Sequence, residues 1–146
     1  MFVTAQPAVD APAPSKHVLA LANRAVPVNK ISKGELQRIL LGEVIEWGRQ
    51  KPVTVLLVDD RTLARVLKDV VGMSRGEYEN HFFVKDYQQS PVVRPRLFPT
   101  LEAAVHALVA TPGAIAIVEE ELDFTVGGVK TLAIDSKLPQ EDGYKL

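Results

Sequence analysis

From Pro52 to Gly72 the chain reads PVTVLLVDDRTLARVLKDVVG, a strand, a tight turn and a helix with almost nothing between them. Val53 to Val58 is an unbroken β-branched and aliphatic run, the pattern of a strand covered on both faces. Asp60 stands as the expected N-cap of the helix. Leu63, Val66, Leu67, Val70 and Val71 recur at helical spacing, and Gly72 falls where a helix ends in the left-handed conformation. In open α/β folds a turn of this kind, at the carboxyl end of a strand, is where ligands bind. Free backbone N–H groups and the helix dipole at such a turn can hold an anion.

The rest of the chain supplies elements for the same fold. His17 to Asn23 (HVLALAN) fits a core strand, followed by a loop at Arg24 and Pro27. Ser32 and Glu35 form a capping box with Ile31 and Leu36 as its staple, so a helix starts there, buries Leu36, Ile39 and Leu40, and stops at Gly42. Ser74 and Glu77 repeat the device between Met73 and Tyr78 and start a short helix running towards Phe82. From Val84 to Pro99, three prolines among polar residues predict a long irregular connection. Leu101, Ala104, Val105, Leu108 and Val109 predict a helix capped by Thr100 and ended before Pro112-Gly113. Ala114 to Val118 reads as a buried strand ended by Glu119-Glu120-Glu121, and Val129 to Ile134 as the last strand after Gly127-Gly128.

Composition enters where it excludes. The 146 residues suit one domain, 47% apolar and 24% charged, which are globular values. A net charge of -1 gives no electrostatic reason to expect nucleic acid or an anionic membrane surface. No apolar run approaches the ~20 residues needed to span a bilayer, so no membrane insertion is expected. There is no cysteine, hence no disulfide and no thiolate metal site, and the three histidines lack metal-ligand spacing. No nucleophile elbow, P-loop or dinucleotide fingerprint occurs, so neither an enzyme nor a bound cofactor is expected. Residues 1–16 read as a flexible Ala- and Pro-rich leader, 17–135 as the α/β domain and 136–146 as a polar tail. The leader lacks the basic start and apolar centre of a secretory signal, so any export signal is expected to have been removed already.

In order, SKGELQRILLGEVIEW, PVTVLLVDD, VVGMSRGEYENHF and TLEAAVHALVATPGAIAIV resemble the second lobe of the periplasmic phosphate-binding protein family over roughly residues 18 to 135. The resemblance implies a single periplasmic-binding-protein-like lobe, a mixed, mostly parallel sheet flanked by helices. It also implies a periplasmic or secreted protein that binds a small oxyanion such as phosphate, for transport or sensing, without catalysis. Full-length members close two lobes over the ligand, and this chain has residues for about one. In the family the turn after the organising strand resembles R-S-D-G-S-G-T. Asp60 and Thr62 agree with that pattern, whereas Val58, Leu63 and Ala64 replace its Arg, Gly and Thr.

The expected ligand-binding set is therefore Arg24, Asp59, Asp60, Arg61 and Thr62. Arg61 gains that role if Arg24 faces it across a cleft. Asp59 adds negative charge where an anion would sit, opposed by Arg61 and the helix N-terminus. Trp47 reads as a packing residue, and Glu119 to Glu121 as a solvated strand end, with an interaction surface as the alternative. The alternative function is a protein-interaction module that reuses the lobe as a scaffold, its partner a protein or a second copy of the chain.

Overall fold

The computed structural model describes residues 16–48, 52–121, 126–135 and 137, with backbone alone at Lys16, Asp60, Glu120 and Glu121. The expected leader, apart from Lys16, and the tail, apart from Lys137, lie outside the described residues. In chain order the elements are β1 (Lys16–Asn23), β2 (Lys30–Ile31), α1 (Lys33–Leu40), β3 (Thr54–Val58), α2 (Asp59–Val66), α3 (Arg75–Tyr87), β4 (Arg96–Phe98), α4 (Leu101–Ala110), β5 (Ala114–Glu121), β6 (Val129–Thr131) and β7 (Ala133–Ile134). A single π-helical turn, Leu67–Val71, closes α2 against the left-handed Gly72.

The central sheet has the order β4-β3-β5-β1-β6. β3 lies parallel to β4 and to β5, while β1 runs antiparallel to β5 and to β6. Four of the five strands thus point one way and β1 alone runs against them, which makes the sheet mixed and mostly parallel. The continuous apolar runs have a direct cause, because alternate residues feed two different cores. Val18, Ala20, Val55, Leu57, Ile115 and Ile117 join the buried faces of α1, α2 and α3. Leu19, Leu21, Leu56, Ala116 and Val118 meet Ala104 and Leu108 of α4.

Local chemistry fixes the helix ends. Both capping boxes form, with the Ser32 and Ser74 hydroxyls accepting from the Glu35 and Glu77 amides and each Glu reaching back to the N-cap amide. The helix started by Ser74, α3, continues past Phe82 to Tyr87, with Tyr78 and Phe82 packed into the core. Burial pushes the Tyr78 phenol above its ordinary pKa, so it remains a donor, and it donates to the Leu40 carbonyl at the end of α1. The segment 84–99 is less irregular than its prolines imply. Arg96–Phe98 forms β4 at the sheet edge, paired parallel to β3 between Pro95 and Pro99. The expected last strand divides, β6 pairing with β1 and β7 with β2.

Asn23 ends β1 and also closes α4. Its buried amide donates to the carbonyls of Leu108 (2.8 Å) and Val109 (3.1 Å), and its oxygen accepts from the Ala25 amide (2.8 Å). α4 has no basic residue in its last turn, so this side chain satisfies its orphan carbonyls. Asn23→Ala is expected to destabilise the protein by about 2 kcal/mol in urea denaturation, with an unchanged m-value.

Candidate functional site

Parallel register decides what meets at the carboxyl edge of the sheet. Leu57 pairs with Ile117, and Val58 with Phe98. Continuing along the strands brings Asp59, Pro99, Thr100 and Glu119 to one edge, where α2 and α4 both begin. A cavity of about 120 Å³ lies there, lined by Val58, Asp59, Arg61, Thr62 and Glu119 from one side and Pro99, Thr100 and Leu101 from the other. Cavities that hold organic ligands are larger, about 300–1,000 Å³, so this one suits a small inorganic group.

The first residue of the turn does the capping. Asp59 sits at φ +49°, and its carboxylate accepts from the Thr62 amide at 2.9 Å. Asp and Asn tolerate this left-handed region because the short polar side chain bonds locally. The expected N-cap, Asp60, is displaced by one residue: it lies within the first turn of α2, and the cap hydrogen bond belongs to Asp59. Asp59→Ala loses the cap and places a Cβ at positive φ without compensation, a cost of about 2 kcal/mol. Asp59→Asn keeps both features. Thermal melts are expected to place the Asn variant close to the wild type and the Ala variant well below it.

Thr62 is only 3% exposed and lines the cavity. No hydrogen bond to its hydroxyl is found among the described residues. Arg61 and Arg65 lie one helical turn apart on α2, and both reach towards Glu119. Arg65 Nη1 donates to Glu119 Oε2 at 2.5 Å, and Arg61 Nη2 stands 3.8 Å from Oε1. Arg65 also faces Asp69 at 3.5 Å. The Glu119 side chain is 15% exposed and that of Arg61 79% exposed. Glu119 therefore lines the cavity and is not a solvated strand end. Its signal in the sequence was its place two residues beyond Ile117, readable once the pairing of β3 and β5 is known.

Arg24 does not join this group. Ala22 pairs with Ile115, which puts Arg24 beside the start of β5. The site lies about five residues further along that strand, roughly 16 Å away at the usual rise. The antiparallel direction of β1 is the reason, and it removes the facing pair of Arg24 and Arg61. The structure brings together Asp59, Arg61 and Thr62, with Asp60 in the same turn.

Wider grooves lie elsewhere among the described residues, about 540 Å³ beside Trp47, about 560 Å³ along α4, about 480 Å³ where Lys68, Ser74 and Arg75 meet before α3, and about 190 Å³ between α3 and β4. Their walls are mostly apolar. Two of the charged groups at the first are engaged, Glu35 in its capping box and Arg38 with Glu43 at 4.0 Å. Trp47 itself is buried, and its indole N–H donates to the Gly113 carbonyl at 2.8 Å. No group of His, Asp and Glu placed to hold a metal occurs among the described residues, and no helix among them is long and apolar enough to cross a membrane.

No protein-family model matches the chain, and no curated protein does. Solved structures do. A structure described as a phosphate ABC transporter substrate-binding protein with bound phosphate, from Clostridium perfringens, matches 84% of the chain at TM-score 0.64 and 13% identity. An ABC-type phosphate transport receptor from Vibrio cholerae matches 86% at TM-score 0.57 and 12% identity. PstS from Borrelia burgdorferi matches 84% at TM-score 0.57 and 14% identity. The match covers 46%, 48% and 48% of those chains, so this chain spans about half the length of the structures it resembles. The likeness is one of fold: a periplasmic-binding-protein-like α/β lobe with a mixed, mostly parallel sheet.

Proposed function

We propose that this periplasmic-binding-protein-like lobe is a non-catalytic solute-binding domain that takes a small oxyanion, of the phosphate or sulfate kind, at the carboxyl edge of β3 and β5. One observation carries the reading. The cavity where α2 begins is lined by Arg61 and by buried Thr62, whose hydroxyl has no hydrogen bond among the described residues, with Arg65 close behind on the same helix. A helix N-terminus, a hydroxyl donor and a guanidinium form an anion-binding set. The fold supports the reading, since the Clostridium perfringens relative is described with phosphate bound. The same likeness supports a periplasmic or secreted location and a part in transport or sensing.

Thermal melts in phosphate, sulfate and chloride at equal ionic strength test it. Phosphate or sulfate at about a hundredfold excess over its dissociation constant is expected to stabilise the protein by about 2.7 kcal/mol over chloride. Identical melting temperatures in all three salts, with no heat on titration, would remove the reading.

A second reading rests on α3, where Phe83 and Tyr87 lie one turn apart and are 68% and 85% exposed. Aromatic side chains are enriched at protein interfaces. In this reading the lobe is a scaffold and a second copy of the chain covers the pair. A mass in light scattering that stays monomeric as concentration rises would count against it.

A further inference from the structure

Glu119 already occupies the place where the arginines of α2 would hold an anion. Ile117 and Glu119 are two residues apart on β5 and so share a face, the one on which α2 packs. Arg61 and Arg65, four residues apart on α2, meet the same carboxylate from above. The two contacts are unequal. Arg65 is within hydrogen-bonding distance and braced on its other side by Asp69, while Arg61 stands off at 3.8 Å and is largely exposed. Asp59 is committed to the Thr62 amide, and the residues facing from the other wall, Pro99 and Thr100, carry no charge.

We propose that Glu119 is an internal stand-in for the ligand: its carboxylate, in the cavity wall, holds Arg65 beside the cavity and draws Arg61 towards it, and an oxyanion enters by exchanging with it. The inference rests on the oxyanion reading above and deepens it by naming what the ligand must displace. The stand-in is incomplete. It serves the guanidiniums and makes no bond to the Thr62 hydroxyl, which has no partner among the described residues. A tetrahedral oxyanion carries more charge and more acceptor oxygens than one carboxylate, so it can engage both arginines and Thr62 together. Small monoanions with one acceptor face gain nothing over Glu119. The site therefore selects multiply charged oxyanions and suppresses weak binding of simple ones.

Calorimetric titration of the wild type and Glu119→Gln with phosphate and with sulfate tests this. The Gln side chain keeps the shape and an acceptor for Arg65 but removes the competing charge. At least tenfold tighter binding is expected in the variant, with a cooperative melt showing that it is folded. Equal or weaker binding in a folded variant overturns the inference and leaves the oxyanion reading standing. Absence of binding in both proteins overturns both. Should the variant fail to fold, the wild type decides: the Glu119 carboxylate carbon signal is expected to shift during phosphate titration as it leaves Arg65. A signal that stays fixed while phosphate binds overturns the exchange.

Discussion

Gly113→Ala is expected to be the most damaging single-methyl substitution among the described glycines, lowering the melting temperature by roughly 10 °C. A Cβ at Gly113 would lie 1.9 Å from the Pro52 carbonyl oxygen and 3.6 Å from the Trp47 ring. The first contact is with backbone, so no side-chain rotation relieves it. The chain must move where the Thr54 amide meets the Gly113 carbonyl at 3.1 Å and where the Trp47 indole meets the same oxygen. Overpacking a core costs about 1–3 kcal/mol and occasionally more, and loss of these hydrogen bonds places this change at or beyond the upper end. Gly127→Ala is the control, because nothing lies within 4 Å of its Cβ position. Its melt is expected within about 0.5 kcal/mol of the wild type.

Gly42→Ala is the second large effect, about 2–4 kcal/mol in denaturant unfolding. Two independent penalties combine there. The residue sits at φ +76°, where an L side chain costs about 1–2 kcal/mol, and its Cβ would lie 2.5 Å from the Val93 carbonyl oxygen and 2.8 Å from the Phe82 ring. The position joins the end of α1 to α3 and to the strand approach after it. Val93 donates to the Gly42 carbonyl at 3.0 Å, His81 bonds the Leu41 carbonyl at 2.8 Å, and Tyr78 bonds that of Leu40. A folded Gly42→Ala protein with wild-type stability would show that this junction is looser than its geometry.

Much of the fold is carried by short-range signals and is legible for that reason. The Ser32 and Ser74 boxes, the Thr100 cap and the Gly72 stop each depend on a few neighbouring residues, and each forms. The buried runs of β3 and β5 announce a sheet covered on both sides. What could not be read is set by long-range pairing. Arg96-Leu97-Phe98 has no period of its own and becomes a strand only because β3 offers it an edge. The division of Val129 to Ile134 depends on β1 and β2 lying in different places.

The candidate site divides along the same line. Asp59, Arg61 and Thr62 sit in one local turn, so their nearness is legible in the sequence, whereas the cap bond falls to Asp59 and not to its neighbour Asp60. The positive φ of Asp59 separates them, and no local pattern announces it. Arg24 depended on the direction of β1, which antiparallel pairing with β5 reverses relative to the facing arrangement. Glu119 was hidden for the complementary reason. In a run of three acidic residues, nothing local marks the one that two arginines will meet across a strand and a helix.

The most direct measurement is an amide and hydroxyl-region NMR titration of the wild-type protein with phosphate. The account predicts saturable shifts concentrated at residues 59–63, Thr100 and Glu119, with the signals around Arg24 unmoved. Shifts absent at saturating phosphate, or centred on the Trp47 groove, on α4 or on Arg24, would contradict it.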